Sequence, residues 1–127
     1  MPLVRIALPS GKSPEYRRAV ADGVHEALVE AFKIPVDDRF QIVTEHGPGV
    51  EIIRPASYLG NSYTDELTLI QITAMEGRSL ELKRVLYREI VSRLGARPGL
   101  RAEDVVINLV EVKKENWSFG RGEASYA

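Results

Sequence analysis

Gly11-Lys12-Ser13-Pro14-Glu15 and Gly77-Arg78-Ser79-Leu80-Glu81 stand 66 residues apart, and laying one over the other without a gap organises the whole chain. The same offset sets Leu3, Val4 and Ile6 over Leu69, Ile70 and Ile72. It also places Asp38 over Asp104 and Glu45 over Glu111. Self-similarity at one fixed spacing marks two copies of one structural unit.

Each copy reads strand, helix, strand. Pro2 to Leu8 and Glu66 to Ala74 are rich in Leu, Val and Ile and carry little charge, as buried strands do. Ser13 followed by Pro14 and Glu15 supplies a hydroxyl cap, a proline at the first helical position and an early acid, so a helix starts there and runs to about Phe32. Val20, Val24, Ala27, Leu28 and Ala31 form its inner stripe, with His25 off that stripe. In the second copy Ser79 is the cap, Leu82, Val85, Leu86, Ile90 and Leu94 repeat at helical spacing, and Gly95 is expected to stop the helix. Phe40 to Glu45 and Val105 to Val112 close the units. Right-handed crossovers make the strands of each unit parallel.

The expected fold is therefore α/β (α+β): a tandem βαβ repeat forming a four-stranded mixed sheet with both helices on one face. Residues 1–127 are expected to make a single domain, with copies at about 2–46 and 66–112 and an aromatic tail over 113–127. The linker 47–65 is expected to hold a short strand at Val50 to Ile53. Strands such as Leu67-Thr68-Leu69-Ile70-Gln71-Ile72 have apolar residues pointing both ways, so the uncovered sheet face calls for partner subunits.

Composition narrows the function classes. Lys plus Arg number 17 against 18 Asp plus Glu, so no field of one sign argues for nucleic acid or an anionic membrane. Cysteine is absent, which removes disulfides, thiolate nucleophiles and Cys-based metal sites. His25 and His46 lack ligand-spaced partners, and Gly120-Arg121-Gly122 has no helix behind it to hold a phosphate. Neither a metal nor any other cofactor is expected. No window approaches the roughly 18 apolar residues of a membrane span, and a signal peptide is not evident, so a cytoplasmic protein is expected.

Pro2 carries the chemical interest. Removal of Met1 would leave a secondary amine at the terminus, which no other residue offers. An ordinary α-amino group titrates near ~7.7 to 8.0, and burial or nearby cations would lower that into the range of a general base. Such an amine can move a proton between the carbon and oxygen of an enol, or attack a carbonyl. The residue alone leaves a second reading open, that proline simply stiffens the entry to the first strand.

Met1-Pro2-Leu3 at the head of an apolar strand, Asp37-Asp38-Arg39-Phe40-Gln41 opening the second strand, and Asn116-Trp117-Ser118-Phe119-Gly120 near the end together resemble the malonate semialdehyde decarboxylase-like members of the tautomerase superfamily. The resemblance covers nearly the whole chain and is weakest over 47–65. It implies a homotrimer whose active sites surround the amino-terminal prolines. It implies Pro2 as the catalytic group and Asp38 as the acid beside it, holding or activating water or substrate. It also implies Arg78 as a substrate-carboxylate ligand, with Trp117 and Phe119 as an apolar wall. Where the family has a second arginine, this chain has Glu76, which would repel a carboxylate.

The activity implied is proton transfer on a small 2-oxo or enol acid, or decarboxylation or hydration of a three-carbon oxo acid. The alternative is a non-catalytic trimeric module that binds a metabolite or a protein.

Overall fold

The computed structural model describes residues 1–127. Helix α1 spans Pro14–Phe32, and its Ser13 cap hydroxyl accepts from the Tyr16 amide at 3.1 Å. Helix α2 spans Leu80–Ala96, where the Ser79 hydroxyl accepts from the Leu82 amide at 3.2 Å. Strands β1 (Leu3–Pro9), β2 (Phe40–His46), β5 (Thr68–Met75) and β6 (Val105–Val112) make the sheet, while β3 (Ser57–Tyr58) and β4 (Asn61–Ser62) form a small separate hairpin. The sheet order is β2-β1-β5-β6, parallel within each copy and antiparallel where β1 meets β5.

The duplication extends to side-chain contacts. Arg17 on α1 pairs with Glu45 on β2 at 2.5 Å, and sixty-six residues on, Lys83 on α2 pairs with Glu111 on β6 at 2.7 Å. Each pair ties a helix to the closing strand of its own unit.

One face of the sheet makes the core. Val4, Ile6 and Leu8 alternate with Ile70, Ile72 and Ala74 under the inner stripes of α1 and α2, all nearly or fully buried. Burying each such Leu or Ile side chain contributes roughly 1.5–3 kcal/mol, so this stripe dominates stability. Gly23 leaves room for α2: a Cβ there would lie 2.8 Å from the Leu94 side chain.

Four local expectations are corrected. The second helix passes Gly95 and ends at Ala96, and the chain reverses through Gly99 at φ 99°, because Gly95 itself sits in ordinary helical backbone. Leu82 is 41% exposed, the α2 stripe being Leu86, Ile90 and Leu94. No strand forms at Val50 to Ile53, where one bridge joins Pro48 and Ile52 and the hairpin lies further on. His25 is buried, its Nε2 2.7 Å from the Val36 carbonyl, so it pins the loop after α1.

The opposite sheet face is open. The register places Phe40, Leu3, Thr73 and Val110 in one row, Ile42, Arg5, Gln71 and Asn108 in the next, and Thr44, Ala7, Leu69 and Val106 in the third. Leu69, Ile42 and Phe40 are exposed there, but the middle row also carries Arg5, Gln71 and Asn108 and separates Phe40 from Leu69, with Gln71 Nε2 donating to Asn108 Oδ1 at 3.1 Å. The face is thus mixed rather than wholly apolar. No helix is long and apolar enough to cross a membrane.

Candidate active site

The strand directions decide what can meet. β1 and β2 begin at the same end of the sheet where β5 and β6 finish, since each copy is parallel inside and the two are antiparallel to one another. Pro2, Asp38, Met75 to Arg78 and the segment after Val112 therefore gather at one end. This is the set the sequence reading singled out, drawn together by four separate stretches of chain.

Pro2 is buried at the foot of β1. The Met1 ammonium, three bonds from the Pro2 nitrogen, lies 2.7 Å from Asp38 Oδ2, and the two side chains are only 12% and 10% exposed. That oxygen is shut off from solvent and takes no other hydrogen bond. Standard bond lengths then put the carboxylate within about 6 Å of the Pro2 nitrogen, the span of one small molecule. Asp104, the repeat mate of Asp38, is fully buried and saturated by the Thr64 amide at 2.8 Å, the Thr64 hydroxyl at 2.5 Å and Arg101 at 3.0 Å.

An aromatic cluster closes the other side. Trp117 stacks on Phe119 with ring centroids 5.2 Å apart, and Phe119 meets Phe40 at 5.5 Å and the edge of Tyr126 at 5.6 Å. The Tyr126 hydroxyl is 2.6 Å from the Met1 sulfur. The tail holds itself in place, with the Ser125 amide donating to the Trp117 carbonyl and the Phe119 amide to the Ser125 hydroxyl. Trp117 Nε1 is buried without a hydrogen-bond partner, a state that ordinarily costs about 1–3 kcal/mol and invites an acceptor. Phe40 and Tyr126 were not singled out from sequence as site residues. Their only signals were the place of Phe40 in the Asp37 to Gln41 motif and that of Tyr126 in the aromatic tail.

Arg78 sits just past β5 at the same end. Its guanidinium donates to the Met75 carbonyl at 2.9 Å and lies 4.4 Å from the centre of the Phe32 ring. Burial pushes its pKa below the usual arginine value while Glu111 pulls it back up. It remains a cation at neutral pH, partly desolvated and with donors to spare. Glu76 is exposed and lines, with Lys113, Lys114, Glu115, Tyr126 and Ala127, a cleft of about 560 Å³.

Three other arginines lie elsewhere. Arg39 is committed to Asp22 at 2.7 Å and to Gln41, Arg54 pairs with Asp65, and Arg5 stands on the open sheet face. His46 meets Thr44 at 2.8 Å, and no group of three His, Asp or Glu side chains could hold a metal ion.

A proline-headed strand on a duplicated βαβ sheet, with two helices on one face, defines a tautomerase-type fold. Two family models described as tautomerase enzyme match residues 2–55 and 38–120. The probable tautomerase YusQ of Bacillus subtilis (strain 168) is 38% identical over 98% of this chain and 97% of its own. The structure of FG41 malonate semialdehyde decarboxylase inhibited by 3-bromopropiolate superposes with TM-score 0.90 at 42% identity, covering 98% of this chain and 93% of that one. A second malonate semialdehyde decarboxylase, studied for its decarboxylase and hydratase activities, gives TM-score 0.90 at 32% identity over 98% and 95%. The chain belongs to the tautomerase superfamily and is an enzyme of the isomerase or lyase kind.

Proposed function

We propose that removal of Met1 frees the Pro2 nitrogen, and that this amine, with Asp38 beside it, shuttles a proton on a small 2-oxo or enol acid. The observation that carries this reading is the Met1 ammonium held 2.7 Å from an Asp38 oxygen that is itself closed to solvent. In the full-length chain the proline nitrogen is an amide, neither base nor nucleophile. Its release also empties the space that Met1 fills between Asp38 and Tyr126.

A shuttle needs both protonation states within reach, so its pKa belongs near the working pH. Two opposed influences act on Pro2. Burial at the foot of β1 favours the neutral amine, whereas the Asp38 carboxylate favours the prolinium. Balanced, they keep the nitrogen near neutrality, able to take a proton from carbon and return it to oxygen. Arg78 supplies the partly desolvated cation for the substrate carboxylate.

Decarboxylation or hydration of a three-carbon oxo acid is the second reading, favoured by the 42% identity to FG41 malonate semialdehyde decarboxylase. Glu76 weighs against it, because it sets a carboxylate near the place where a second cation would help hold the acid. The working form is proposed to be a homotrimer in a soluble compartment. The open sheet face supports this, and solved chains of this fold include a fused 4-OT symmetric trimer. No nucleic-acid or membrane partner is proposed.

The test is phenylenolpyruvate ketonisation by methionine-free wild type and by Pro2→Ala. Loss of at least a hundredfold in kcat/KM supports the proline mechanism, and equal rates remove it.

A further inference from the structure

Tyr126 sits on the wall of the proposed site, yet its hydroxyl has no role in the packing. The ring meets Phe119 edge-on at 5.6 Å, a contact that a phenyl group would make equally well. The hydroxyl's partner is the Met1 sulfur at 2.6 Å, and a thioether is a weak acceptor. When Met1 is removed, that donor is left facing the emptied space beside Pro2.

Bond lengths set the reach. The Met1 sulfur is five bonds from the Pro2 nitrogen, about 6 Å at full stretch, and the hydroxyl lies 2.6 Å from it. A carbon in contact with the Pro2 nitrogen, and an oxygen on the next carbon, fit between the two. Asp38 approaches the same space from the side of the Met1 ammonium, so the acid and the phenol address different parts of one occupant.

We infer that the Tyr126 hydroxyl donates a hydrogen bond to the 2-oxo or enol oxygen of the substrate, making Tyr126 a further catalytic residue that selects acids carrying an oxygen at that carbon. The inference rests on the proline reading above. As the Pro2 nitrogen takes a proton from the substrate's C3, the C–H pair becomes the C2–C3 π bond and the carbonyl π pair moves onto oxygen. Tyr126 holds that oxygen while its charge develops. In the return direction the enol oxygen gives its proton to the neutral Pro2 nitrogen, the prolinium so formed delivers it to C3 as the C2–C3 π pair forms the new C–H bond, and the hydrogen bond from Tyr126 weakens as the oxygen becomes a carbonyl again. A fixed donor aimed at the developing charge lowers the barrier without itself changing protonation state.

The experiment uses methionine-free Tyr126→Phe, which keeps the ring. Ketonisation kcat/KM is expected to fall at least tenfold. A structural role would not move the second readout, inhibition by 2-oxobutyrate relative to butyrate. Wild type is expected to prefer the oxo acid at least tenfold, and Tyr126→Phe to bind the two alike. An unchanged preference in Tyr126→Phe overturns the inference, whether or not the rate falls. Pro2→Ala run in parallel separates the two claims: if it is inactive while Tyr126→Phe matches wild type, only the role of Tyr126 is lost. If Pro2→Ala turns over like wild type, the proline reading fails.

Discussion

Asp38 and Asp104 hold the same place in the two copies of the repeat and are treated in opposite ways. Asp104 is saturated by Thr64 and Arg101, whereas Asp38 has the chain's own terminal ammonium and nothing else. One acid holds the fold, and the other is kept available.

Exchanging each for asparagine should separate the two roles. Asp38→Asn is expected to lower kcat by about a hundredfold, within the range of general acid–base contributions, with little change in melting temperature. Asp104→Asn is expected to cost about 2 kcal/mol of stability, since it disturbs a buried hydrogen-bonded carboxylate, while the processed enzyme that remains folded keeps its kcat. Denaturant melts and steady-state kinetics on both variants check the pair.

Stability should also depend on pH through Asp104. Burial pushes its carboxyl up, but the hydrogen bonds from the Thr64 hydroxyl and amide and from Arg101 outweigh that and hold it below the usual carboxylate value. A depressed folded pKa contributes stability that is complete above the unfolded value near ~3.9 and is lost as pH falls through the folded one. Asp22, lowered by Arg39 and Arg18 against its own burial, adds in the same direction. Unfolding free energy is thus expected to drop as pH falls below about 4, less steeply in Asp104→Asn. Equal slopes would contradict the assignment.

Arg78 and Glu76 should act on substrate affinity with opposite signs. Arg78→Lys keeps a charge but loses the planar fork and the Phe32 stack, so KM for an oxo acid is expected to rise about tenfold, or 1.4 kcal/mol, with kcat less affected. Glu76→Arg replaces a repelling group at the cleft and is expected to lower that KM several-fold and to raise any turnover of malonate semialdehyde. Steady-state kinetics on both variants decides.

The open sheet face predicts assembly. Leu69→Asp puts a charge in the third row of that face and is expected to yield monomers by sedimentation, where wild type is expected to sediment as a trimer. A wild-type monomer would leave the exposed Phe40, Ile42 and Leu69 unexplained.

Much of this was legible in the sequence, for a physical reason. The 66-residue offset fixed both units, because caps such as Ser13 and Ser79 and alternating β-branched strands act locally. Parallel pairing within each unit, together with the antiparallel junction of β1 and β5, then brought Pro2, Asp38, Arg78 and the tail to one end. Tertiary detail was less visible. Leu82 has helical spacing yet points to solvent, and His25 is buried because the loop carbonyl of Val36 comes to meet it. Tyr126 could not be placed from sequence, since its position depends on how the tail folds back over Met1.

The proposed chemistry depends on the Pro2 nitrogen, and titrating that nitrogen tests it most directly. In methionine-free protein labelled with 15N-proline, the Pro2 resonance is expected to titrate with a midpoint between about 6 and 8, and to move lower in Asp38→Asn as the carboxylate that favours the prolinium is removed. Intact-protein mass should show the methionine gone. A nitrogen still acylated by Met1 in the native protein, or one protonated throughout to about pH 10, would contradict the proposed chemistry.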